Sequence, residues 1–222
     1  LNTIKDIELA IIDRLKRGLG RIAPTVCSYG GELDGEPAEI ARALPACWVT
    51  FGGIQRTENA NLTKRKYRTL GRFVVIVGER SVRSEEASRH GGARLDEVGT
   101  YRMVTAVRRL LSGQDMADAG LSIQALMPGR VRTLFNTSLK DNALSVFACE
   151  FDTAWMEEAL ENGKYPRSGV APFHPDAIFS GYSGQVSEDD PDWLRTRFSY
   201  DIPQTPARPD AEEIITHVTD NS

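Results

Sequence analysis

Histidine and cysteine are scarce in this chain, with three of each among 222 residues. His90, His174 and His217 are far apart and have no neighbouring ligands at metal spacing, which removes the usual zinc arrangements. Cys27, Cys47 and Cys149 are odd in number and widely separated, which argues against a disulfide framework and fits a reducing cytosol. Cys47 and Cys149 lie inside apolar runs and read as small core residues. Long apolar runs are also missing. None approaches the ~20 residues that cross a bilayer, and Leu1 to Leu19 carries charges throughout, so neither a membrane span nor a signal peptide is read. A soluble protein made in the cytoplasm is expected, with no internal repeat.

Recognisable catalytic motifs are lacking as well. Gly18-Leu19-Gly20-Arg21-Ile22-Ala23 has loose dinucleotide-binding spacing, but it follows a helical pattern where the fingerprint must follow a strand. A helix stop explains it better. Gly181-Tyr182-Ser183-Gly184 is one spacer short of a nucleophile elbow and sits in an irregular stretch. Asp189, Asp190 and Asp192, with His174, could be imagined as a metal-dependent hydrolase set. A cation cage needs six or more oxygens placed by a defined loop, and these acids surround Pro191 in the least regular part of the chain. No enzyme, cofactor or metal is expected.

What is present falls into two parts. Residues 1–155 carry periodic apolar patterns, and residues 156–222 do not. Ile4, Ile7, Ile11 and Leu15 fall on one stripe of a helix from Asn2 to Leu19, stopped by Gly18 and Gly20. Val26 and Tyr29 suggest a short strand, and Glu39 to Leu44 a helical turn. Ala46 to Phe51 alternates as a strand ended by Gly52-Gly53, followed by a polar hairpin loop from Gln55 to Lys66. Phe73 to Val77 is apolar on both faces and belongs at a sheet centre. Arg80 to Leu95 reads as a loop, and Asp96 as the cap of a second helix to Ser112. Tyr101, Val104, Val107 and Leu111 fall on its core stripe. Short strands are expected at Leu121–Ala125 and Arg130–Phe135, around Met127-Pro128-Gly129. A last strand at Ala143–Thr153 places Phe147, Cys149 and Phe151 on one face and Leu144, Val146 and Ala148 on the other. This is an α+β pattern: an antiparallel or mixed sheet of about four to five strands with two main helices, plus an irregular, extended C-terminal arm.

The arm is rich in Pro and Gly, which disfavour long helices and central strands. It still carries Phe173, Phe179, Tyr182, Trp193 and Phe198, groups that water expels. Such a segment is expected to lie along another surface, its own domain or a neighbouring subunit. Charge is divided unevenly. Net charge is −4, yet Ile54 to Ala93 is predominantly basic and the stretch from Ser187 onward predominantly acidic. Opposite-sign patches suit head-to-tail contact between identical subunits. Lys64, Arg65, Lys66 and Arg68, with Tyr67 between, could contact phosphate without sequence specificity, for instance facing the lumen of a ring through which DNA passes.

Several stretches together resemble the tail-terminator proteins of Mu-like tailed bacteriophages. They are the Ile4-to-Leu15 helix ending in Arg-Leu-Lys-Arg, the Leu44-to-Gly53 stretch, Gly99-Thr100-Tyr101-Arg102-Met103 running into Val107-to-Gln114, and Ser145-to-Thr153. The resemblance covers residues 1–155 and implies a non-enzymatic virion protein. It would form a six-fold ring on the last ring of the tail tube, stop tube growth and present a surface to the head connector. Implied partners are further copies of the chain, the tube protein, a connector or neck protein and, in a contractile tail, the sheath, with DNA passing nearby and no membrane. The alternative within this class is a head-completion ring.

Overall fold

The computed structural model describes residues 3–35, 37–61, 65–81, 89–90, 99–139, 142–172, 174–187, 195–200 and 211–216. The chain divides into two compact units, Leu1–Asn162 and Gly163–Ser222. The first is an α+β unit. In chain order it holds α1 (Thr3–Leu19), β1 (Thr25–Ser28), α2 (Pro37–Ala43), β2 (Ala46–Asn59), β3 (Lys66–Ser81), α3 (Thr100–Leu111), β4 (Met127–Leu139) and β5 (Asn142–Glu158). The five strands form one mixed sheet in the order β1-β2-β3-β5-β4, with β1 parallel to β2 and every other pair antiparallel.

The apolar-on-both-faces run in β3 sits at the sheet centre, between β2 and β5. Phe73, Val75 and Val77 join Cys47, Val49, Cys149 and Phe151 under α1 and α3, which contribute Ile7, Ile11, Leu15, Met103, Val107 and Leu111. Val74 and Ile76 point the other way, where Trp48, Leu144, Val146 and Ala148 meet Ile40, Ala41 and Leu44 in and beside α2. Alternation along β2 and β5 thus has the expected phase. The two long helices meet closely: a Cβ at Gly18 would collide with the Leu110 side chain, and Arg14 Nε donates to the Leu110 carbonyl at 2.7 Å. Gly20, at φ 51°, supplies the left-handed stop.

Several sequence expectations need correction. Gly52-Gly53 does not end β2. The register shifts between Phe51 and Ile54, and Gly53 takes φ 96°, so the pair forms a bulge inside a 14-residue strand. Beyond it, Arg56 to Asn59 pairs with Leu70 to Tyr67, so β2 takes in the first part of the loop expected from Gln55 to Lys66. These residues are polar on both faces, so periodicity could not reveal the strand. Leu121–Ala125 is not a strand, although Gln124 N donates to the Ala154 carbonyl at 2.7 Å. Met127-Pro128-Gly129 lies within β4, at a second bulge, and not between two strands. Tyr101 is exposed, and Met103 takes the buried place on α3. The ring of Tyr101 instead lies against His90 and Phe147. The expected Asp96 cap is outside the described residues.

The second unit contains more regular structure than an irregular arm. A bridge joins Arg167 to Ser187, a short helix α4 spans Ala177–Gly181, and β6 (Arg195–Tyr200) pairs antiparallel with β7 (Ala211–Thr216) in a separate two-stranded sheet.

Candidate interaction surface

One end of the first unit carries a cluster of charged side chains, Arg56, Glu58, Arg65, Lys66, Arg68, Glu157, Glu158 and Glu161, on or just beyond paired strands. There Asn59 of β2 pairs with Tyr67 of β3, and Lys66 of β3 pairs with Glu158 of β5. Ala60 N donates to the Lys66 carbonyl at 2.7 Å, and Asn61 Oδ1 accepts from Arg65 N and Lys66 N at 3.1 and 3.2 Å. Arg65 pairs with Glu161 at 3.0 Å, Lys66 lies across from Glu158 in the β3–β5 register, and Arg68 donates to Gln124 Oε1. Arg56 pairs with Glu58 at 2.6 Å. The structure thus brings Arg65, Lys66 and Arg68 together but sets carboxylates among them, so the end is mixed in sign and not purely basic. Lys64 lies outside the described residues.

The same sheet face continues from this end towards α2. Arg72 Nε and Nη2 donate to Asp152 at 2.7 and 3.0 Å, and its Nη1 lies 2.7 Å from Glu150 Oε2. Arg132 on β4 approaches Glu150 Oε1 at 3.5 Å. The Glu150 side chain is only 8% exposed, against 27% for Arg72. Hydrogen bonding to Asp152 raises the Arg72 guanidinium pKa further, with burial opposing. A buried ion pair adds little net stability, but losing one partner strands a costly charge. This network therefore fixes the positions of β3, β4 and β5 relative to one another. β4 is held from the opposite face as well, where Arg108 of α3 donates to the Gly129 carbonyl at 3.1 Å. Below Arg72 lie half-buried Leu70, buried Ala154 and exposed Met156, so an apolar strip runs between the charged rows.

Among the described residues, no group of three or more His, Cys, Asp or Glu is placed to hold a metal ion. No described helix is long and apolar enough to cross a membrane. His174 Nδ1 accepts from Asp176 N at 3.1 Å, and Asp176, buried, accepts from Arg167 N at 2.9 Å, which makes a braced turn. Ser183 follows the short helix α4, where Gly184 N donates to the Phe179 carbonyl at 2.7 Å, a helix-end geometry and not a strand–turn–helix elbow. Asp189, Asp190 and Asp192 lie outside the described residues.

The cysteines are free; Cys47 and Cys149 are buried, and Cys27 is half-buried. Burial raises the Cys149 thiol to about 11, with Arg108 acting against it, and pushes Cys47 higher still. A thiol whose folded pKa is raised stabilises the fold fully below the unfolded pKa, about 8.5, and loses that contribution as pH rises towards the folded value. Urea midpoints should therefore be flat to about pH 8 and fall between there and about pH 11, at up to ~1.4 kcal/mol per pH unit for each thiol. The Cys47→Ala, Cys149→Ala double variant should show a shallower fall, and an equal fall would place its origin elsewhere.

Of the proposed arm anchors, Phe179 and Tyr182 are exposed within the second unit, Tyr182 to 84%. Phe198 lies on β6 opposite Glu213. Phe173 and Trp193 are outside the described residues. Sequence reasoning missed Glu150, Asp152, Glu158 and Glu161, which reach the basic residues only through β3–β5 pairing.

No curated protein matches the chain. Residues 3–156 match the family described as Bacteriophage Mu, Gp37, a span that ends two residues before β5 does and leaves the second unit outside it. Matching more than half its length, the chain belongs to the bacteriophage Mu Gp37 family, which points to a phage structural protein.

Proposed function

We propose that the protein is a tail terminator: copies close into a ring on the last ring of the tail tube, stop its growth and offer a joining surface to the head connector. The family match over residues 3–156 carries this reading. The surface chemistry supports it. Cations and carboxylates alternate around an apolar strip on an open sheet face, a pattern suited to a protein partner, whereas a polyanion would favour cations alone. The Arg65–Arg68 end faces the tube or the channel in this reading, and its action is by contact and not by catalysis.

The test is assembly of purified tube protein with and without this chain, followed by electron microscopy. The expected result is shorter tubes of uniform length, each closed at one end by a ring of this protein. Unchanged tubes, together with binding of the chain to the isolated connector, would reassign it to the head side of the joint.

A further inference from the structure

The two ends of the main sheet are unequal. β1 is an edge of only four residues, whereas β4, the other edge, runs for 13. Long edges present unpaired backbone donors and acceptors, and proteins in their working state shorten, charge or cover them. β4 is bulged between Pro128 and Val131 and again between Thr133 and Phe135, yet it exposes Met127, Val131 and Leu134 beside that edge. Its residues 127–139 include Arg130 and Arg132 and no carboxylate.

The second unit has the opposite need. β6 and β7 pair only with each other among the described residues. A lone two-stranded hairpin is marginal in water and gains stability by joining a larger sheet. The two strands differ in charge: β6 carries Arg195 and Arg197, and β7 carries Glu212 and Glu213 followed by Ile214 and Ile215. β6 would meet the arginines of β4 with like charge, whereas β7 would meet them with opposite charge. Six residues of β7 also fit along less than half of β4.

We propose that β7 of one copy adds to the β4 edge of a second copy, so that Glu212 or Glu213, according to the register, lies on the same face as Arg132 or beside Arg130, and one sheet continues across the subunit boundary. This strand addition takes its affinity from backbone hydrogen bonds and its selectivity from the charged flank. The contact is heterologous, because β4 and β7 are different surfaces, so repetition closes a ring or extends a filament. It rests on the ring reading and names the contact that would make the ring.

Disulfide trapping between separately made chains tests it. On a Cys27→Ser background, Arg130→Cys or Thr133→Cys in one full-length chain is mixed with Glu212→Cys or Glu213→Cys in another, which covers both phases of strand alternation. Oxidation is carried out with and without tube protein, while light scattering and microscopy follow assembly. The expected result is a disulfide-linked pair of unlike chains in at least one mixture, at least tenfold above a pair with the first cysteine at Leu9→Cys. In parallel, Arg130→Glu and Glu213→Arg should each reduce the assembled fraction about tenfold, and a chain carrying both should recover most of it. Assembly without the link overturns the strand contact and leaves the ring reading intact. One chain carrying both cysteines is oxidised alongside, and a link that forms within it but in none of the mixtures shows that the hairpin covers its own β4, and also overturns the proposal. No assembly under any condition, tube protein included, removes the ring reading and this contact with it.

Discussion

Residues 1–162, made without residues 163–222, fold and unfold cooperatively, with a thermal midpoint within a few degrees of the full chain, and lose most of their assembly. The first half of that result follows from where the apolar groups are. Both buried clusters, the one under α1 and α3 and the one under α2, are built entirely from residues before Asn162. A unit with its own core is expected to fold alone. The second half follows from the proposal that the arm makes the contact between copies. Capped tubes should fall at least tenfold in the assembly assay. Circular dichroism and light scattering on the truncated chain separate the two halves. Normal caps from residues 1–162 would remove the arm from the interface, and an unfolded truncated chain would remove the 1–155 and 156–222 division.

Phe73→Ala should cost about 3–5 kcal/mol of stability, the usual range for deleting a fully buried aromatic ring. Phe73 is completely buried at the middle of the central strand. It lies opposite both Phe51 on β2 and Phe151 on β5, with the Phe51 ring centroid 5.3 Å away. The three rings form a row across the sheet beneath the helices, and removal of the middle one leaves a cavity that neither neighbour can fill without leaving its own contacts. Against a typical total of about 5–15 kcal/mol, a loss of that size is a large share of the stability, so the thermal midpoint should fall steeply. Urea denaturation at 25 °C measures the loss directly. Assembly at low temperature should survive, because the row touches none of the charged surface. A loss below about 1 kcal/mol would show that the row is not packed as described.

The parts legible in the sequence were those where burial writes a period. The stripe of α1, the two faces of β5 and the central place of Phe73–Val77 all follow from side chains that alternate between water and core. Where burial is absent, the pattern goes silent. β2 extends through Arg56–Asn59 on backbone pairing, with polar side chains on both faces. The sequence reads these residues as part of a loop from Gln55 to Lys66. Leu121–Ala125 misleads in the opposite sense: alternating apolar groups settle against the core while the backbone runs outside the ladder. At the surface, the run from Lys64 to Arg68 looked basic because its carboxylate partners are some ninety residues away in the chain. Charge read locally could not anticipate neighbours supplied by the fold. The arm hairpin was hidden for a related reason, since neither Arg195–Tyr200 nor Ala211–Thr216 has a turn signal short enough to announce its partner.

The central position of β3 has a kinetic consequence. Its partner on one side, β2, is next to it in the chain, but its partner on the other, β5, begins only at Asn142. The β2–β3 hairpin can form early, whereas the other half of the sheet waits for closure across about 60 intervening residues, the kind of non-local pairing that slows folding to milliseconds or seconds. On the ribosome, Phe73 to Val77 is synthesised well before the strand that shields its second side. Nascent chains halted before Asn142 should therefore recruit chaperones strongly, and release them once β5 has emerged.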